Sequence, residues 1–222
     1  MAEFLKSPGR LKPASTRPST PPPNFGLNVA RVLQDGPDMF IHSVHEVEAD
    51  RDVWVTMSMV RRDRSGPMAV KRQVSARYPA GDGYCAVSSA VDPDPNLENE
   101  GALNKAQVQA FIRMVVLDGE TEHLDAFIDR GRFVSHSPGA CCRPEGYGAF
   151  VARRRPRPGL VYHGVDEMVG EGPYVAVFSC FDMDGATYRA CDLLRLEDGR
   201  VVEHWDVIEE VAAHSVAHND EA

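Results

Sequence analysis

Between residues 105 and 117 the apolar side chains Val108, Phe111, Ile112, Val115 and Val116 recur at helical spacing. A helix is predicted there, stopped by Asp118-Gly119, and Leu124, Phe127 and Ile128 mark one side of a second short helix over 122–129. Phe133 to Pro138 reads as a short strand ended by proline, and 146–155 as a third helix. Beyond that point the pattern becomes β. Strands are expected at 162–168, 174–181, 187–196 and 201–208, several of them separated by Asp-Gly pairs or other glycine-containing turns. Helices first and antiparallel strands afterwards predict an α+β domain, with helices against one face of a curved sheet.

Upstream the chain is organised differently. Residues 1–23 are rich in Pro, Ser, Thr and basic residues and nearly free of bulky apolar groups, so they are expected to form a disordered tail. Asp92-Pro93-Asp94-Pro95-Asn96 places a linker at 92–102. It separates a first half, 24–91, from the domain at 103–211, and 212–222 is expected to be a flexible tail.

The first half echoes the second as a partial tandem repeat. Segment 37–60 aligns without a gap on 158–181, matching His42 to His163, Val44 to Val165, Glu46 to Glu167 and Ser58 to Ser179. With small gaps Gly66 falls on Gly185 and Asp82-Gly83 on Asp198-Gly199, while 24–33 is set against the third helix. The similarity is too long for a solenoid repeat and fits a duplicated domain. On this alignment Ser88 and Ala90 stand where the second half has His204 and Asp206, which makes the first half a truncated, degenerate copy lacking the polar pair.

Charge and composition narrow the function classes. The 222 residues carry a formal net charge of -9, which argues against general affinity for nucleic acid, where binding rests on neutralised phosphates. The local exception, Arg153-Arg154-Arg155-Pro156-Arg157, reads as a solvated helix end or loop. No apolar run approaches the ~18 residues of a membrane helix, and no hydrophobic leader core stands at the N-terminus. The cysteines number five, Cys141 and Cys142 are adjacent, and none has CxxC spacing. A reduced, cytoplasmic setting is therefore expected.

The segment 188–208 carries the candidate chemistry. Read as a hairpin with a three-residue turn at Glu197-Asp198-Gly199, it sets Asp192 opposite His204 and Ala190 opposite Asp206. Alternation then gives Val202, His204, Asp206 and Ile208 one face, joined by Asp192, Leu194 and Leu196, while Arg195, Glu203 and Trp205 take the other. Two carboxylates and an imidazole among apolar side chains are suited to general acid/base work. A two-residue turn would instead move Asp192 away and leave His204 and Asp206 alone. A His flanked by acids is also a common structural hydrogen-bond network. Zinc or iron held by His136, Asp192 and His204 is chemically conceivable, but no tight ligand spacing supports a metal, and none is expected.

The short strand ending in His136-Ser137-Pro138, the strand pair GVDEMVGEGPYVAV and the closing block CDLLRLEDGRVVEHWDVIEEV together resemble the SnoaL-like polyketide cyclases of the nuclear transport factor 2-like (NTF2-like) superfamily. The resemblance implies a cone-shaped barrel, a strongly bent antiparallel sheet wrapped around helices, with a pocket at the wide end. It implies cofactor-independent aldol-type cyclisation, isomerisation or dehydration of a small carbonyl or polyketide-like compound, or mere ligand binding or assembly. His204 and Asp206 match the His and Asp of the family's closing motif, Asp192 matches its preceding acid, and His136 matches a His that there commonly precedes Asn-Pro; Ser137 replaces the Asn and Glu209 stands where Gln is common. Trp205, Tyr147, Tyr162 and His163 are the candidates for contact with substrate, and His136 or Tyr147 for donation to an enolate oxygen. Dimerisation through the sheet's outer face is implied too, as a homodimer or as a pseudo-dimer formed with the first half.

Overall fold

A computed structural model describes residues 27–46, 52–62, 66–89, 100–137, 147, 150 and 158–211. The expected tails and most of the linker and third helix lie outside these residues. Among those described, no helix is long and apolar enough to cross a membrane.

The first half forms a four-stranded antiparallel meander, β1 (Leu27–Asp35), β2 (Asp38–Glu46), β3 (Asp52–Arg62) and β4 (Met68–Pro79), followed by a short helix α1 (Ala80–Cys85). The second begins with α2 (Gly101–Phe111), whose last turns widen into a π-helix over Ile112–Leu117, so that the Asp118 amide reaches back to the Arg113 carbonyl at 2.9 Å. A 3-10 turn (Thr121–His123) and α3 (Leu124–Phe127) follow. Then come β5 (Val134–Ser135), β6 (Leu160–Glu171), β7 (Tyr174–Met183), β8 (Ala186–Glu197) and β9 (Arg200–Glu210), in the spatial order β5-β9-β8-β7-β6. Strand β5 runs parallel to β9, so this sheet is mixed rather than wholly antiparallel, and no closed barrel forms among the described residues.

Alternation gives β7, β8 and β9 two apolar faces, and both are covered. On the inner face Val175, Val177, Leu194, Leu196 and Val201 meet Val108, Phe111, Ile112 and Val115 of α2 and its extension, with Leu124 and Phe127 of α3. On the outer face Tyr174, Ala176, Phe178, Cys191, Leu193, Trp205 and Val207 meet Phe40, Val44, Val53, Val55, Met57 and Met59 of the four-stranded sheet. The two sheets are also joined at both edges. Glu171 accepts the Gln34 amide at 2.8 Å where β1 borders β6, and Glu209 accepts the Ser75 amide at 3.4 Å where β4 borders β9.

Several sequence expectations change here. Residues 27–35 are strand, not helix: pairing along β2, with a bulge between Val29 and Arg31, outweighs any local helical tendency. Segments 37–60 and 158–181 both give hairpins, but Asp82-Gly83 lies inside α1 and not in a turn. Gly83 packs onto β3, where an added Cβ would stand 2.1 Å from a Val53 methyl. No strand matching β9 follows α1 among the described residues, so the superposition of Ser88 on His204 fails; Ala90 lies outside them.

The sheet-to-sheet contact contains polar groups. The Trp205 ring stacks on His136 (5.2 Å between centroids, 10° between planes) and lies under the Arg31 guanidinium at 4.1 Å. Its indole N–H donates to the Ser88 carbonyl at 2.6 Å. Arg31 also donates to the Val87 and Ser88 carbonyls (3.1 and 3.0 Å) and to Nδ1 of His42 at 3.3 Å. His42 is fully buried, and its Nε2 has no partner. Burial above all, then the charges of Arg31 and His136, push its pKa from 6.5 down to about 3.

Two predictions follow from the packing. Gly101, at the start of α2, touches β6 so closely that an added Cβ would lie 2.9 Å from the Gly170 carbonyl oxygen. Ala is the better helix former by ~1 kcal/mol, but the obstacle is backbone and cannot swing aside. Gly101→Ala should therefore lose roughly 1–3 kcal/mol in urea titrations, and an unchanged or raised stability would refute the close-packing account. The unfolded chain protonates His42 near 6.5 while the folded protein resists down to about 3, so its contribution to stability is full above 6.5 and drains away as pH falls between those values. The wild type should lose up to about 1.4 kcal/mol per pH unit more than His42→Leu across that window, measured by denaturation at stepped pH; parallel curves would show that His42 is not held neutral.

Candidate active site

The inner face of the β8–β9 hairpin gathers the candidate residues, and its geometry starts at the turn. Asp198 and Gly199 both have positive φ (51° and 71°), the left-handed pair of a two-residue type I′ turn, and Glu197 pairs with Arg200. The turn is thus shorter than the three residues expected. By itself it would put Asp192 on the face away from His204. One extra residue on β9 reverses that: Leu196 pairs with Val201, Arg195 with Glu203, and Val202 is the bulge between them. Beyond it Asp192 lies opposite Asp206 and Leu194 opposite His204, a two-residue offset from the expected register that restores the shared face. Val201, not Val202, joins the inner core.

Three groups converge there. His204 Nε2 stands 2.7 Å from Asp192 Oδ1, and one side-chain nitrogen or oxygen from each of Asp192, His204 and Asp206 lies within 4.8 Å of the others. His204 is completely buried, Asp206 nearly so, and the Asp192 side chain keeps 23% of its surface open. The edge of Phe150 meets the His204 ring at 4.9 Å. On the far side of the imidazole, Ser135 Oγ is 2.9 Å from Nδ1 and 3.0 Å from Ser137 Oγ. An ionised Asp192 accepts only, so Nε2 must carry the hydrogen, and Nδ1 of a neutral His204 then accepts from Ser135. Parallel pairing of β5 with β9, including the His136 amide to the His204 carbonyl at 2.7 Å, holds Ser135 in place. The three residues could also offer one ligand atom each to a divalent cation, but both His204 nitrogens are already engaged, and a metal on Nε2 would displace the Asp192 contact.

His136 is not part of this group. Strand alternation that sends Ser135 inward sends His136 outward, where its Nε2 donates to Glu203 Oε1 at 2.7 Å. Arg195 donates to the other Glu203 oxygen at 2.8 Å, so the buried carboxylate is held from both sides. Trp205 shares that outer face and cannot line a site around His204. His163 is exposed and paired with Asp182 at 2.9 Å. Tyr147 packs on the inner core but its hydroxyl donates to Asp125 at 2.9 Å, and Tyr162 is partly buried against the same core.

One site-forming residue escaped the sequence reading. Ser135 was legible only as the neighbour of His136, and the alternation that separates them needed the pairing partner of β5.

No known family model matches the sequence, and no curated protein is similar enough to match it. Several solved structures align with about half of the chain and nearly all of their own length. A protein proposed to be a ketosteroid isomerase from Kribbella flavida shares 16% identity over 55% of this chain and 93% of that one, with a TM-score of 0.45. An NTF2-like protein of unknown function from Mesorhizobium loti shares 21% over 53% and 97%, TM-score 0.44. IdmH of Streptomyces antibioticus, proposed to be a polyketide cyclase, shares 19% over 48% and 91%, TM-score 0.41. These neighbours are of the kind the closing motif suggested. The likeness is one of fold over half the chain, and the reading of the site rests on its own geometry.

The Ser135 hydroxyl predicts a measurable tautomer. Ser135→Ala should lower the population of the Nε2–H form of His204 in long-range proton–nitrogen spectra, at a stability cost of about 1 kcal/mol. An unchanged ring spectrum would remove Ser135 from the site.

Proposed function

We propose that this protein is a cofactor-independent acid/base enzyme on an NTF2-like scaffold, acting on a small, largely hydrophobic carbonyl compound. The observation that carries the proposal is the Asp192–His204 pair at 2.7 Å, with the His204 ring fixed from behind by Ser135 and Asp192 alone partly open. Asp192 is the base. It takes a proton from the carbon next to the carbonyl, the C–H electrons move into the carbonyl to give an enolate, and the proton returns to carbon or the enolate closes on a second carbonyl. His204 Nε2–H holds the Asp192 carboxylate in the attacking orientation, a positioning role, because burial leaves the ring no open edge. Asp206 lies across the strand pair from Asp192, and the proton returned is the one that Asp192 has taken.

The alternative is a binding module without chemistry, and the full engagement of His204 by Ser135 and Asp192 is the feature that favours it. Hydrogen exchange separates the two. In heavy water the wild type should speed α-deuteration of an enolisable bicyclic ketone such as 1-tetralone, followed by proton NMR. Asp192→Asn should slow it by about 10²–10⁴-fold, and His204→Gln by less. Exchange no faster than in buffer would leave the binding module as the function.

A further inference from the structure

Ser135 and His136 are consecutive residues of one extended segment, so a shift of either side chain carries the other with it. Strand β5 is short: its ladder with β9 sets Val134 against Glu203 and Ser135 against His204. A parallel ladder is slightly weaker per residue than an antiparallel one, and two rungs oppose rotation about the strand axis only weakly. Side-chain anchors therefore decide how the segment sits. On the inner side the anchor is the contact of Ser135 Oγ with His204 Nδ1 at 2.9 Å.

The outer side is held more firmly. His136 donates from Nε2 to Glu203 at 2.7 Å, stacks its ring on Trp205, and has Ser88 Oγ 3.3 Å from its Nδ1. Glu203 is completely buried and fixed in turn by Arg195, so the bond from His136 is a charge-assisted one, stronger than a neutral hydroxyl–imidazole bond. Ser88 belongs to the first half of the chain. Its carbonyl accepts both the Trp205 indole N–H and a guanidinium N–H of Arg31, which closes the outer cluster from the side of the four-stranded sheet. We infer that His136 is a positioning residue for the His204 imidazole: anchored on Glu203 and Trp205 and backed by Ser88, it holds Ser135 Oγ against Nδ1. The first half thereby acts on the imidazole from the opposite face of the sheet. The effect on turnover rests on the acid/base reading proposed above; the effect on the ring does not.

The test follows the Nδ1 signal of His204 in long-range proton–nitrogen spectra of the full chain. His136→Phe keeps an aromatic ring for Trp205 but loses the donor to Glu203. It should produce most of the Nδ1 shift that Ser135→Ala produces, although residue 136 touches neither nitrogen of His204. His136→Gln, whose amide N–H can reach Glu203, should bring the signal back toward wild type. Ser88→Ala alters an exposed hydroxyl of the other half and should move the signal in the same direction by less. Adding His136→Phe to Ser135→Ala should change nothing further, because the contact through which His136 acts is already gone. Gly101→Ala, which loosens the protein elsewhere, should leave the signal in place. The α-deuteration rate at saturating 1-tetralone should fall about fivefold in His136→Phe, the equivalent of one ordinary hydrogen bond, with the half-saturating concentration unchanged.

Lowered stability of His136→Phe with an unmoved His204 signal would make His136 a structural residue only and overturn the inference. A further shift on adding His136→Phe to Ser135→Ala would overturn it as well. Should His136→Phe fail to fold, Ser88→Ala decides, and an unmoved signal there counts against the coupling. A shifted signal in a protein whose wild type does not deuterate the ketone would retain the coupling and reject the enzyme. Deuteration by wild type, with a His204 signal indifferent to residue 136, would retain the enzyme and reject the coupling.

Discussion

The five-stranded sheet must bury both of its faces at once, and most of the molecule follows from that demand. Helices α2 and α3 cover one side and the four-stranded sheet covers the other, so β7, β8 and β9 carry apolar side chains on both faces. A sheet covered on one side only would have needed alternating polar residues. Here polar groups in the middle strands are conspicuous because each has to be matched inside the protein. Glu203 is matched by Arg195 and His136 on the outer face, and His204 by Asp192 and Ser135 on the inner one. Two polar clusters thus lie back to back across a single strand, separated only by the alternation of residues 203 and 204.

Such an arrangement tolerates no slip in register. A one-residue shift of β9 would send His204 into the sheet-to-sheet contact and Glu203 against Phe150, leaving both unpaired in apolar surroundings. The Val202 bulge is therefore as important to the site as the residues that make it up. The short turn favoured by Asp198-Gly199 and the facing of Asp192 toward His204 are compatible only because an extra residue stands between them.

The helix over 105–117, the four strands of the second half and the apolar partners Val108, Phe111, Ile112 and Val115 were legible from periodicity, since each is dictated by local pattern. The convergence of Asp192, His204 and Asp206 was legible as a family of registers but not as one, because turn length and bulge trade off against each other. Trp205 was placed on the outer face by alternation, as observed, whereas His136 was grouped with the site because its orientation depends on β5 pairing parallel to β9, a contact between residues far apart in the chain that no local pattern announces. The first half was harder still. Residues 27–35 gain strand structure from β2, and Asp82-Gly83, a turn signal by composition, became part of a helix once Gly83 could nestle against Val53.

Trp205 occupies a position with an optical consequence. Its indole is clamped between an imidazole and a guanidinium contributed by different halves of the chain, and its N–H is tied to the Ser88 carbonyl. The near-ultraviolet transitions of a ring so enclosed are sensitive to any parting of the two sheets. The molecule consequently carries its own built-in chromophore at the seam, and an event that loosens the halves without unfolding either one would register there before it altered the backbone signal.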